Sequence, residues 1–499
     1  MSAAEAVALI PDEATVGLIG GGGGLCEAMT LHAAAEQRFQ ETGHPQNLTL
    51  IHALGIGDRK TTGMNRFAHK GMVRKVVGGH WVWSPKMQQM AADNEIEAYV
   101  LPGGVAMQLM REIAAGRPGL FTHVGLGTFI DPRLGGGRMN AAAKDTLVEV
   151  MEIDGQEYLR YLTFPVHACL LKGSIADDDG NISLDEEPAN VDTCAMAAAV
   201  HNSGGKVIVQ VRERVAAGSL GARQVRIPAA MVDAIVVDPG QQQGYEIVYD
   251  PTISGQEHRP EARPERPPFS VRQVVAQRAK LELEEGAVIN YGFGIPDEIA
   301  SLVAAAGEQS RYFQTIEHGT YGGTLLTGNL FGYARNPSCM IDGPSQFDFY
   351  SGGGLDIAFL GFGEMDEQGN VNASMLGGMP VGPGGFIDIA QNARKLVFCG
   401  TFDAKGAKIE VQDGKLVIHQ HGQIGKLVKD VLQITFSGEQ AVKRGQQVLY
   451  VTERAVFELC ADGVYLREVA PGVEIEADVI SRMGFVPKMD EVRVMPGFE

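Results

Sequence analysis

Asp177-Asp-Asp-Gly180-Asn181-Ile182-Ser183 and Asp366-Glu-Gln-Gly369-Asn370-Val371-Asn372 are two copies of one pattern, and their surroundings repeat with them. Asn202 stands 21 residues beyond Asn181 and leads into Lys206-Val-Ile-Val-Gln; Asn392 stands 22 residues beyond Asn370 and leads into Lys395-Leu-Val-Phe-Cys. Two landmarks at nearly equal spacing point to a duplicated unit. The openings of the two halves agree. Val16-Gly-Leu-Ile-Gly20-Gly-Gly-Gly-Gly24-Leu-Cys-Glu27 and Val288-Ile-Asn-Tyr-Gly292-Phe-Gly294-Ile-Pro-Asp-Glu298 each run from an apolar strand through glycines into a helix start. Pro296 suits a first helical turn, where its missing N–H costs nothing. Ile299, Leu302, Val303 and Ala306 then recur on one helix face.

Stretches such as 48–52, 207–211 and 396–399 are short, apolar and β-branched, as strands buried on both faces of a parallel sheet are. The expected fold is α/β: two related open domains with mainly parallel sheets and the site in the cleft between them. Pro251, Pro260, Pro264, Pro267 and Pro268 interrupt any helix interior or central strand. They mark a linker over 251–268 between an N-terminal domain, 1–250, and a C-terminal domain, 269–499.

Composition narrows the function. The formal charge is −19, from 42 Lys and Arg against 61 Asp and Glu. A protein that grips nucleic acid or an anionic membrane wants a basic face, so neither partner is expected. Glycine is the outlier, 64 of 499 residues, against a typical share of about 7%. The glycines fall in short clusters beside apolar runs, which suits loops that bring backbone close to a ligand. The six cysteines are scattered with no Cys-x-x-Cys pair, as free thiols in a reducing compartment are. Met1-Ser-Ala-Ala-Glu carries no basic leader, and no apolar run approaches the ~18 residues of a spanning helix. A cytoplasmic protein is expected.

Several cofactor readings fail on spacing. The pattern Gly-x-Gly-x-x-Gly/Ala ends on Leu25, Cys26 or Glu27 in the first glycine cluster, on Asp297 after Gly292, and on Ile130 after Gly125. No nicotinamide or flavin site is expected, and no phosphate loop for ATP occurs. Asp177 to Asn181 looks like a calcium loop, but Ile182 stands where the glycine belongs and Pro188 where the closing glutamate belongs. A tight turn is the better reading. No metal site is expected.

The chemistry gathers at Thr315-Ile-Glu317-His318-Gly319-Thr-Tyr-Gly-Gly323. A β-branched strand delivers a carboxylate to its end, and small residues leave that carboxylate's face open. Downstream, Ser351-Gly-Gly-Gly354 and Met379-Pro-Val-Gly382-Pro-Gly384-Gly385-Phe-Ile-Asp388 supply loops with backbone N–H groups. Such loops offer an oxyanion hole to a carbonyl under attack by a carboxylate.

With these motifs the chain resembles a family I CoA-transferase, of the fused, single-chain acetate or propionate kind related to the succinyl-CoA:3-ketoacid transferases. The resemblance spans nearly the whole chain. It rests on Gly20 to Gly24 with Glu27, Thr122-His-Val-Gly-Leu-Gly-Thr-Phe-Ile-Asp131-Pro-Arg133, Ala176 to Asn181, Glu317-His-Gly-Thr-Tyr-Gly-Gly, Phe347-Asp-Phe-Tyr-Ser-Gly-Gly-Gly-Leu-Asp356 and Gly384-Gly385-Phe. It implies that Glu317 is the nucleophile, passing through an acyl-glutamyl anhydride and a glutamyl-CoA thioester in a ping-pong exchange. Coenzyme A enters as co-substrate, with no metal, NAD or ATP. Gly384 and Gly385, with Gly22 and Gly23, are the implied backbone donors; Asn290, Gly103 and His318 the implied active-site contacts; Gly363, Gly382, Arg133 and Lys172 the implied CoA contacts.

The substrates implied are an acyl-CoA (acetyl, propionyl, butyryl or 3-oxoacyl) and a carboxylic acid, in short-chain fatty-acid, ketone-body or lipid metabolism. A homo-oligomer, dimer or tetramer, is implied too. The sequence departs from the family at three places. Cys26 stands before Glu27 where proline is common, Gly103 follows Leu101-Pro102 where glutamine is frequent, and His318 follows the nucleophile where serine or asparagine is usual. Two other readings share the motifs: an acyl-CoA hydrolase on the same scaffold, and a non-catalytic sensor of CoA or a sugar phosphate.

Overall fold

The structure is a computed structural model, and it describes residues 1–266 and 270–498. Pro267 and Pro268, at the end of the expected linker, lie outside the described residues. The chain forms two compact units. The first comprises 1–259, 316–348 and 377–388; the second comprises 260–315, 349–376 and 389–499.

The sheet of the first unit has seven strands: β1 (Thr15–Leu18), β2 (Leu48–His52), β3 (Val73–Gly78), β4 (Glu97–Tyr99), β5 (Ala168–Lys172), β6 (Lys206–Val211) and β7 (Ala234–Val237). Their order is β7-β6-β5-β1-β2-β3-β4, and every pair is parallel. The apolar runs explain this. Each residue of β2 and of β5 is buried, as a parallel sheet covered on both faces requires. The chain leaves β1 for β2 on one side and reaches β5 on the other. The turn after β1, which holds the glycines from Gly20 to Gly24, is therefore a topological switch point, the place where open α/β sheets bind ligands.

The second unit repeats the plan. Its strands are β8 (Val288–Tyr291), β9 (Phe313–Ile316), β10 (Ile357–Gly361), β11 (Lys395–Cys399), β12 (Gln447–Val451), β13 (Ala455–Cys460), β14 (Gly463–Val469) and β15 (Lys488–Val494). They run in the order β9-β8-β10-β11-β12-β13-β14-β15. The first five are parallel and reproduce the β2-β1-β5-β6-β7 order of the first unit. The duplication read from the Asp-x-x-Gly-Asn landmarks is thus a duplication of sheet order. β13 and β14 then add antiparallel pairs.

The landmarks themselves are matching turns. The Asn181 backbone N–H donates to Asp177 Oδ1 at 2.8 Å, and its side-chain amide to Asp177 Oδ2 at 3.0 Å. Asn370 does the same to Asp366 at 2.9 and 3.0 Å. Gly180 and Gly369 take φ of +96° and +76°, conformations that a side chain would strain. Each asparagine carbonyl then receives a distant N–H, Ala229 for Asn181 at 3.1 Å and Gly438 for Asn370 at 3.0 Å. Asn370→Ala is therefore expected to destabilise the protein by ~1–3 kcal/mol, by removing the partner of a part-buried N–H. A thermal melt checks this.

The compact units do not follow the 250/269 boundary. The sequence assigned Glu317 to the C-terminal domain, 269–499, whereas residues 316–348 belong to the first unit. The reason lies in backbone pairing that linear composition does not reveal. After β9 the chain is held by first-unit partners: Asn336 N–H donates to Thr252 carbonyl at 2.8 Å and Gly343 N–H to Val191 carbonyl at 2.7 Å. The Tyr333 hydroxyl donates to the Gly23 carbonyl at 3.1 Å.

Candidate active site

β9 ends on a buried Ile316, and Glu317 follows at once. The residue as a whole is half-buried, but its carboxyl is enclosed by packed groups. Burial pushes that carboxyl up to about 7, and the backbone N–H of Gly385, which donates to it, pulls the other way. No cation contributes. A Cβ built on Gly385 would lie 2.1 Å from Glu317 Oε2 and 3.0 Å from the Phe347 ring. Glycine at 385 therefore supplies a donor and leaves room for the carboxylate in one step. Phe347, fully buried in α6 (Gly343–Phe349), fills the space beside it.

The segment that carries Gly385 is tied down along its length. Gln88 donates its side-chain amide to the Pro380 carbonyl at 2.7 Å. Trp81 N–H donates to the Val381 carbonyl and Gly384 N–H to the Gly79 carbonyl, both at 2.8 Å. The helix α3 (Gly103–Ala114) meets the same segment with its first turn. Pro102 precedes it and offers no side-chain cap, so the first N–H groups need partners elsewhere. Gly103 N–H donates to the Gly384 carbonyl at 2.7 Å. Gly104 and Val105 N–H donate to the two carboxylate oxygens of Asp388, each at 3.1 Å. Burial pushes the Asp388 carboxyl up to about 8, opposed by the Gly104 N–H and reinforced by the charge of Glu317.

The other residues read from the sequence fall in different places. Gly103 adjoins the site: a Cβ there would lie 3.0 Å from Gly385 N, so glutamine at this position would press on the peptide that serves Glu317. At Gly382 a Cβ would lie 2.6 Å from the Gly79 carbonyl oxygen and 2.9 Å from the Trp81 ring. Gly22 likewise lies against Trp83, whose ring carries the Arg59 guanidinium at 4.0 Å. Gly23 and Gly384 correct an expectation, because their N–H groups are spent on the Gly57 carbonyl at 3.1 Å and the Gly79 carbonyl at 2.8 Å. His318 is buried, with Nε2 2.7 Å from the Gly332 carbonyl, and burial pushes it down to about 4. It is a neutral brace for the loop after Glu317.

Two proposed CoA cations are engaged otherwise. Arg133 grips Asp131 at 2.7 Å and Glu157 at 2.8 Å. Lys172 is 1% exposed, paired with a buried Glu187 at 2.9 Å and donating to the Gln242 carbonyl at 2.5 Å. Breaking such a buried pair would leave an uncompensated charge, so Lys172 is held on Glu187. In the second unit, the Asn290 side-chain amide donates to the Thr315 carbonyl at 3.4 Å and to the Tyr350 hydroxyl at 3.3 Å. Gly363 N–H donates to the Asn372 carbonyl at 2.9 Å.

Three residues had no assigned role in the sequence and have one here: Asp388, Phe347 and Gly104, where a Cβ would lie 2.3 Å from Phe347 and 2.6 Å from Asp388 Oδ1. An aspartate in the first turn of a short helix, four positions beyond Gly384, was the available signal. Glu27 also finds a structural place. It is fully buried, accepting Gly57 N–H at 2.8 Å and the Tyr245 hydroxyl at 2.6 Å. Among the described residues no group of His, Cys, Asp and Glu could hold a metal, and no helix is long and apolar enough to cross a membrane.

Comparison with known proteins identifies the family. A family profile described as Coenzyme A transferase matches residues 1–238. The acetate CoA-transferase YdiF of Escherichia coli K12 is 41% identical over 497 residues, covering 99% of this chain and 94% of that protein. A caffeate CoA-transferase of Acetobacterium woodii is 42% identical over 98% of this chain and 94% of its own. A solved acyl-CoA transferase from E. coli O157:H7, described as a thioester complex with CoA, superposes with a TM-score of 0.94 at 40% identity, covering 99% of this chain and 94% of that one.

Proposed function

The chain belongs to the coenzyme A transferase family and is a CoA-transferase; on that footing we propose that it moves CoA from a short-chain acyl-CoA to a carboxylic acid through covalent intermediates on Glu317. The observation that carries this reading is the enclosed Glu317 carboxyl, met by one backbone N–H from Gly385 and by no cation. A carboxylate stripped of water is a stronger nucleophile than one in solution, and the N–H is placed to take up charge on an oxygen.

In the proposed sequence a Glu317 oxygen attacks the thioester carbonyl. The C–S bond breaks, CoA leaves as thiolate, and an acyl-glutamyl anhydride forms. The thiolate then attacks the glutamyl carbonyl, the anhydride C–O bond breaks, and the first acid departs as its carboxylate. The enzyme is left as a glutamyl-CoA thioester. A second carboxylate runs the steps in reverse, so the kinetics are ping-pong. The reading includes no metal, nicotinamide or ATP step, a cytoplasmic setting and a homo-oligomer. Acetyl-, propionyl-, butyryl- and 3-oxoacyl-CoA are the proposed donors. Support comes from the E. coli relative described as a thioester complex with CoA, and from relatives that transfer CoA to acetate and to caffeate.

Intact-protein mass spectrometry after brief exposure to acetyl-CoA tests the proposal. A CoA adduct that maps to Glu317 is the expected result. CoA released with no acceptor and no adduct would replace it with hydrolysis, and tight CoA binding with no turnover would replace it with sensing. Ionisation gives a further expectation. Glu317 acts as the carboxylate and titrates near 7, so kcat/KM falls as pH drops through about 7, tenfold per unit below it. A profile flat down to pH 5 would count against an enclosed nucleophile.

A further inference from the structure

We infer that Asp388 is a positioning residue for transfer: by closing the first turn of α3 it fixes the Gly384–Gly385 peptide against Glu317. The inference rests on Glu317 as the nucleophile. Asp388 is fully buried in the first turn of α7 (Phe386–Asn392), yet its carboxyl serves another helix. Three consecutive donors of α3 end on this one segment: Gly103 on the Gly384 carbonyl at 2.7 Å, Gly104 on Asp388 Oδ2 and Val105 on Asp388 Oδ1 at 3.1 Å. Gly385, whose N–H meets Glu317, lies between the two anchor points.

The arrangement has no slack. A Cβ at 103 would sit 3.0 Å from Gly385 N, and one at 104 would sit 2.6 Å from Asp388 Oδ1 and 2.3 Å from Phe347. A helix start that shifts by a fraction of an ångström therefore moves the Gly385 N–H. Burial penalises the ionised form of this carboxyl, and its two oxygens take the Gly104 and Val105 N–H groups of the α3 N-terminus, which has no side-chain cap of its own. Capping alone would stabilise α3. What sets the site apart is that the same carboxylate is four residues from Gly384 in a segment whose other end is pinned at Gly79 and Trp81.

The Gly385 N–H is placed at the proposed reacting carboxyl of Glu317. Loss of alignment thus removes transition-state stabilisation with little effect on binding. Asp388→Ala is expected to lower kcat about 100-fold, the cost of a 1 Å misplacement, with KM for acetyl-CoA unchanged. Asp388→Asn keeps one acceptor oxygen in the same shape, and it is expected to recover about tenfold of that loss. Steady-state kinetics and the rate of CoA-adduct formation on the full-length protein, with a melt on each variant, test this.

A folded Asp388→Ala with wild-type kcat, a loss confined to KM, or Asp388→Asn no better than alanine would overturn the inference. Should the alanine variant fail to fold, Asp388→Glu decides. It keeps the carboxyl but adds a methylene, so kcat should fall about tenfold at constant KM; wild-type kcat would overturn the inference. The two levels of argument fail separately. Absence of an adduct on the wild type removes the role of Glu317, whereas an adduct formed equally fast by all variants removes only that of Asp388.

Discussion

Glu317→Gln is expected to form no CoA adduct and to lose transfer by a factor on the order of 10⁴–10⁶, the usual consequence of deleting a covalent nucleophile. The substitution isolates chemistry from packing. Glutamine has the same shape, and its side-chain carbonyl still accepts the Gly385 N–H. It lacks a charged oxygen that attacks a thioester. Quantifying the adduct by mass spectrometry and the rate with acetyl-CoA checks the expectation, and turnover within tenfold of wild type would move the nucleophile elsewhere.

A stability signature goes with it. The folded Glu317 carboxyl titrates near 7, above its ordinary value near 4.5. Its contribution is therefore fully present below pH 4.5 and is lost as pH rises through 7. Glu317→Gln carries no such group. At pH 8 the variant should gain on the order of 3 kcal/mol over wild type relative to their difference at pH 4. Paired melts at the two pH values measure that double difference. A variant that is dead yet more stable at pH 8 is what a strained, desolvated nucleophile predicts.

The parts of this molecule that were legible in the sequence are those fixed by neighbouring residues. Asp177 with Asn181 and Asp366 with Asn370 close their turns within five residues, so the motif alone reveals the duplication. The place of Glu317, though not its role, was legible for the same reason: the strand ends just before it, and glycines follow. Gly385 was legible as a donor in kind. The assignment of Gly23 failed because a backbone N–H has no preference visible in its own side chain, and its partner Gly57 lies 34 residues away. Lys172 and Arg133, read as CoA contacts, each carry a carboxylate partner in the fold. Asp131 stands two residues from Arg133 and is visible in the sequence, but Glu157 beside Arg133 and Glu187 beside Lys172 are brought in only by the fold. Asp388 stood in the quoted glycine loop, but its role was not legible because what it caps is 284 and 283 residues earlier.

Gly385→Ala should cost activity about 10³-fold while leaving the melting temperature within a few degrees of wild type, the size of effect seen when a single oxyanion donor is displaced. The methyl has nowhere to go. Its carbon would stand 2.1 Å from Glu317 Oε2 and 2.9 Å from the Glu317 carboxyl carbon, so the carboxylate has to swing away from the N–H that serves it. Gly385 does not occupy the left-handed region, so alanine brings no backbone penalty there.

Its neighbour provides the control. Gly384 sits at φ +55°, where alanine strains the backbone by about 1 kcal/mol, but its Cβ would find His80 no closer than 3.8 Å. Gly384→Ala is thus expected to lower the melting temperature and to leave most of the activity. Adjacent substitutions with opposite signatures separate occupancy of the site from strain in its loop. An active Gly385→Ala enzyme, or equal losses at both positions, would mean that the Gly385 N–H is not what holds Glu317 ready.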